Sequence, residues 1–123
     1  MLYAILCYNA EDAVSAWTRP QHDKVMADLA VVQKKLAAKG KLGPVARLLP
    51  TTAATSLRKG LEPLVIDGPF VETKEQLLGF YVVDFDSLEE ALETARDLAK
   101  ANPGAGGYEI RPIAEFHPAG RTA

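Results

Sequence analysis

The densest chemistry in this chain lies in nine consecutive positions, Asp67-Gly68-Pro69-Phe70-Val71-Glu72-Thr73-Lys74-Glu75. Gly68-Pro69 is a turn signal, and turns need polarity. A turn does not need an aromatic ring at Phe70 or four charges in so short a space. Asp67 reads in two ways: as a residue that caps its own turn, or as a carboxylate aimed into a cleft, where it could act as general acid or base. Glu72, Lys74 and Glu75 read either as a solvated run or as a network that positions a polar ligand or a partner subunit. His22, at a helix start, can serve as a second titrating group. Arg111, on the last strand, can orient an anionic group and calls for a carboxylate partner, for which Asp67 and Glu72 are the candidates. The expected site is therefore Asp67 and His22 as catalytic groups, with Arg111, Phe70, Glu72 and Lys74 binding the substrate.

Several chemistries are absent. No dinucleotide fingerprint, phosphate loop or nucleophile elbow occurs, so no nucleotide cofactor is expected. His22 and His117 are far apart and lack carboxylates at ligand spacing, so no metal is expected. Cys7 is the single cysteine and sits in an apolar run; one thiol makes no internal disulfide. A formal net charge of -2 gives no basic stripe for nucleic acid. No signal peptide or membrane span is apparent, and a cytoplasmic location is the expectation.

The elements that must hold these residues follow from periodicity. Residues 2–8 read as a strand with both faces apolar. Residues 9–20 read as a loop, in which the large ring of Trp17 suggests packing over a cleft or an interface. A helix begins near Pro20, with Val25, Leu29, Val32 and Leu36 on one stripe and Gly40 as its stop. Residues 42–49, 52–59 and 63–66 read as short strands, and residues 77–85 as a strong one, again apolar on both faces. Ser87 and Glu90 have capping-box spacing before a helix whose stripe is Leu88, Ala91, Leu92, Ala95, Leu98 and Ala99. Residues 108–113 form the last strand. Residues 1–118 are expected to make one domain and residues 119–123 a frayed tail.

This order predicts an α+β fold: a ferredoxin-like split βαβ with an inserted hairpin and two helices on one face of an antiparallel sheet. Two helices cover one face only. The apolar second face predicts a homodimer packed sheet to sheet.

Asp67-Gly68-Pro69-Phe70, Glu72-Thr73-Lys74-Glu75, Leu78-Gly79-Phe80-Tyr81 and Glu109-Ile110-Arg111-Pro112, in that order, resemble the DGPF family of YCII-related proteins. The match runs from residue 1 to about residue 116. The resemblance implies the dimeric α+β barrel superfamily. For related YCII proteins it implies a His/Asp pair in a cleft, and for DGPF-type proteins a setting beside extracytoplasmic-function sigma factors. The expected function is a homodimeric small-molecule-binding or regulatory module with a cleft beside the DGPF loop, with a regulatory protein as a further candidate partner. The alternative is an enzyme that uses acid–base chemistry on a small polar or anionic substrate without metal or nucleotide.

Overall fold

A computed structural model of the chain describes residues 1–118. Residues 119–123, read from sequence as a tail, lie outside the described residues. The elements run β1 (Leu2–Ala10), α1 (Glu11–Ser15), α2 (Arg19–Ala38), β2 (Leu42–Arg47), a 3-10 turn (Thr51–Ala53), β3 (Thr55–Arg58), β4 (Leu64–Asp67), β5 (Glu75–Asp84), α3 (Leu88–Ala101) and β6 (Gly107–Pro112). The main sheet is antiparallel in the order β2-β5-β1-β6. β1 and β2 both pair with β5, so the two are parallel to each other with β5 between them, the split βαβ arrangement. β3 and β4 form the inserted hairpin as a separate two-stranded sheet.

The helices take the expected stripes, with two corrections. α2 buries Val25 and Leu36 and packs Leu29 and Val32 against the core. α3 buries Ala91, Thr94, Ala95, Leu98 and Ala101, a set that repeats at three and four residues. Leu88 and Ala99, expected in that stripe, are exposed because they fall outside this repeat. The segment read as a loop over residues 9–20 contains α1, and α2 starts at Thr18 rather than Pro20. Thr18 Oγ1 accepts from the Gln21 amide at 3.2 Å, and Gln21 Oε1 accepts from the Thr18 amide at 2.8 Å. That reciprocal cap satisfies two of the donors a helix start leaves open.

Both long helices lie on the face of the sheet that carries Tyr3, Ile5, Tyr81, Val83, Tyr108 and Ile110. Ile5, Val83 and Leu98 are fully buried there. Strand alternation puts Leu2, Ala4, Leu6, Tyr8, Phe80 and Val82 on the opposite face, followed on β6 by Glu109 and Arg111. Leu2, Ala4, Leu6, Tyr8 and Phe80 are half-buried, and no helix covers them. Among the described residues no helix is long and apolar enough to cross a membrane.

Candidate functional site

The sheet is not packed along its whole length. Toward the C-terminal end of β1, the first half of α2 stands away from it and leaves a cavity of about 710 Å³. The floor is a cross-strand row set by register. Arg47 of β2 lies opposite Gly79 of β5, Gly79 opposite Cys7 of β1, and Cys7 opposite Tyr108 of β6. The two middle positions have almost no side chain, which is where the volume comes from. Gly79 is held at this size from below: a Cβ there would lie 2.6 Å from the Ala46 carbonyl oxygen. Met26, Leu29 and Ala30 of α2 form the roof, and Leu48 and Leu78 close one wall. Trp17 also lines the cavity, so the ring read as packing over a cleft does so.

Polar groups sit at the two ends of this row. At the β6 end, Asn102 Nδ2 donates to Tyr108 Oη at 3.4 Å, while Asn102 Oδ1 is buried without a hydrogen-bond partner. An orphaned buried acceptor normally costs about 1–3 kcal/mol, so such atoms tend to be explained by function or by something that binds there. Burial pushes the Tyr108 hydroxyl far up, and contact with Asn102 opposes this only in part. Burial also raises Tyr81, against a hydrogen bond with Gln33. The Cys7 thiol is raised by burial, partly offset by Tyr108, so it stays protonated and is no activated nucleophile.

At the β2 end, Arg47 Nη1 lies 3.2 Å from Met26 Sδ, and Nη2 lies 3.5 Å from His22 Nε2. His22 Nδ1 is 3.3 Å from Asp23 Oδ1. One tautomer satisfies both contacts: Nδ1–H donates to Asp23, and Nε2 accepts from Arg47. Among the described residues no ion pair engages Arg47.

A second, more open cavity of about 430 Å³ lies beside the residue 67–75 loop. Asp67, Glu72, Thr73 and Gln76 line it together with Glu11 and Thr51. Its carboxylates do not converge: among the described residues no group of three or more His, Cys, Asp and Glu could hold a metal ion. The loop is tied mainly to itself and to β3. The Gly68 amide donates to the Ala54 carbonyl at 2.8 Å, Ser56 Oγ donates to the Gly68 carbonyl at 2.8 Å, and Gln76 Nε2 donates to the Val71 carbonyl at 2.8 Å. Gly68 has φ +118, a conformation open to glycine and strained for other residues. Glu11 belongs to both cavities and accepts from the Thr51 amide at 2.7 Å and from the Thr51 hydroxyl.

The residues singled out from sequence are thus spread over several places. His22 lines the first cavity, and Asp67 and Glu72 line the second. Phe70 is exposed and stacks under Arg58, 4.7 Å from the ring centroid. Lys74 is exposed and lines neither cavity. Arg111 lies on the uncovered face opposite Ala4 and lines neither cavity. Its expected pairing with Asp67 or Glu72 is not made among the described residues; Arg111 is exposed, and water meets its charge. Sequence reasoning missed Arg47, Asn102 and the floor row. Gly79 inside an apolar strand was the one usable signal, since such a glycine marks a close approach or a bulge.

Comparison with known proteins agrees with the architecture. A protein of Rhizobium meliloti (strain 1021), described only as uncharacterised, is 60% identical over 119 residues, covering 96% of each chain. The family model for the YCII-related domain matches residues 1–117, and with that span of match the chain belongs to the YCII-related family.

Proposed function

We propose that this chain is a small-molecule-binding module whose ligand enters the cavity between α2 and the sheet. The observation that carries the reading is a 710 Å³ hollow holding a buried acceptor, Asn102 Oδ1, that the protein itself leaves unpartnered. Size and lining suit a small organic ligand: mostly apolar walls with a few polar groups at fixed points. This places the ligand beneath α2 rather than against the DGPF loop, whose polar groups are largely taken up in holding the loop. A regulatory use of the bound state, near an extracytoplasmic-function sigma factor, is the form of the reading that the family resemblance suggests. N-phenyl-1-naphthylamine, an uncharged apolar fluorophore, tests the cavity directly. It is expected to bind saturably, one per chain, and to lose binding in Ala30→Phe, which plugs the roof from an exposed helix position. No binding, or binding unchanged by Ala30→Phe, overturns the reading.

We further propose that the module is a homodimer joined through the face bearing Leu2, Leu6 and Phe80, because an apolar sheet face left to water is unfavourable. Light scattering at micromolar concentration is expected to give twice the 13.3 kDa chain mass; a monomer would sink this part. The enzymatic alternative keeps one supporting observation, the His22–Asp23 contact at the cavity mouth. It loses the pairing of His22 with Asp67, since acid–base partners must reach one substrate.

A further inference from the structure

The floor row gives the cavity a direction, and its ends differ in chemistry. We infer that the ligand is an elongated monocarboxylate: its carboxylate on Arg47, a flat apolar body over Gly79 and Cys7, and a hydrogen-bond donor at Asn102. This rests on the cavity reading above and names the class of molecule that reading left open.

The anionic end follows from what surrounds Arg47. Its guanidinium has only a thioether sulfur and an imidazole nitrogen as neighbours, neither of which neutralises it. The two carboxylates that share the cavity are already engaged. Glu11 accepts two hydrogen bonds from Thr51, and Asp12 Oδ1 accepts from the Ala13 amide at 2.8 Å. A planar fork of donors with no protein carboxylate fits a ligand carboxylate in bidentate fashion.

The body follows from the middle of the row. Gly79 and Cys7 present a low floor, and Met26 and Leu29 lie above it, so the space between is a slot with apolar walls. The far end follows from Asn102. Its Nδ2 is committed to Tyr108, so the free atom is Oδ1, and an acceptor calls for a donor. The length follows from the sheet: Arg47 and Tyr108 are three strand steps apart, roughly 14 Å between Cα atoms. Both side chains reach inward, which leaves room for a single ring with a short acid arm.

Trp17 is the only tryptophan in the chain and lines the cavity, so its fluorescence reports on occupancy. The probes are 3-(4-hydroxyphenyl)propionate, its primary amide, and 3-phenylpropionate. The hydroxy acid is expected to bind at least about tenfold more tightly than the amide, the scale of one charge-assisted hydrogen bond. It should also bind more tightly than the acid without the hydroxyl. Arg47→Met should erase the acid-over-amide preference, and Arg47→Lys should keep part of it. Asn102→Ala should erase the hydroxyl preference and leave the acid-over-amide preference in place. If wild-type protein binds acid and amide alike, or binds neither while still taking up N-phenyl-1-naphthylamine, this ligand class is wrong and the cavity reading survives. If the fluorophore also fails to bind, both fall together.

Discussion

The two ends of one sheet, under the same pair of helices, have been built in opposite ways. At one end Ile5, Val83 and Leu98 are fully buried, with Leu36, Phe85 and Ala91 packed among them. At the other, the same strands present Cys7 and Gly79, and α2 stands clear of them. Nothing in the strand pairing differs enough to cause this; side-chain volume does. The packed end fixes the helices and carries the stability, so the hollow end can afford an orphaned acceptor and an uncompensated arginine. Protein interiors are close to crystal density, and a void this large must be supported by packing elsewhere.

Substitutions at the two ends should separate accordingly. Leu98→Ala removes a fully buried side chain and is expected to lower stability by about 2–5 kcal/mol in denaturant titration. Cys7→Leu adds volume where space exists, and is expected to change stability by about 1 kcal/mol or less while weakening uptake of N-phenyl-1-naphthylamine. Equal costs for the two would break the contrast. The smallest effect is invisible at neutral pH. Burial raises Cys7, Tyr81 and Tyr108 from ordinary values of 9.0, 10.0 and 10.0. Groups raised in the folded state bind protons there that the unfolded chain gives up first. Their contribution is therefore whole below about pH 9 and declines as pH rises past the ordinary values. The melting temperature should fall above pH 9 to 10, and less steeply in Tyr108→Phe; identical alkaline profiles would show that Tyr108 is not desolvated as described.

Much of the packed end was legible in the sequence, and little of the hollow one. Val25, Leu29, Val32 and Leu36 repeat at helical spacing because a helix on a sheet must bury a stripe, and that repeat survives in any context. The strand order followed from the same logic. The Thr18 and Gln21 cap was also readable as a four-residue pattern, though the proline beside it drew attention one turn later. The cavity carries no such pattern. Arg47, Gly79, Cys7 and Tyr108 come from four different strands and meet only through register, which spacing along the chain does not encode. Conversely, the residue 67–75 loop concentrates charge and turn residues in one stretch, which makes it conspicuous in sequence. Its density reflects how a glycine-turned loop is tied to a short hairpin.

The closeness of Gly79 to the Ala46 carbonyl bears on how this pocket could diversify. A floor position that admits no side chain cannot be retuned by drift, since any residue there meets backbone before it meets ligand. The roof is under no such restriction: Met26, Leu29 and Ala30 sit on one helix face, half-buried or exposed, with unbranched or small side chains that exchange at little cost. Relatives with the same floor could therefore accept different ring substituents by changing α2 alone. The sheet would keep the ligand's axis and the helix would set its thickness, so one scaffold could serve a series of related acids without rebuilding its core.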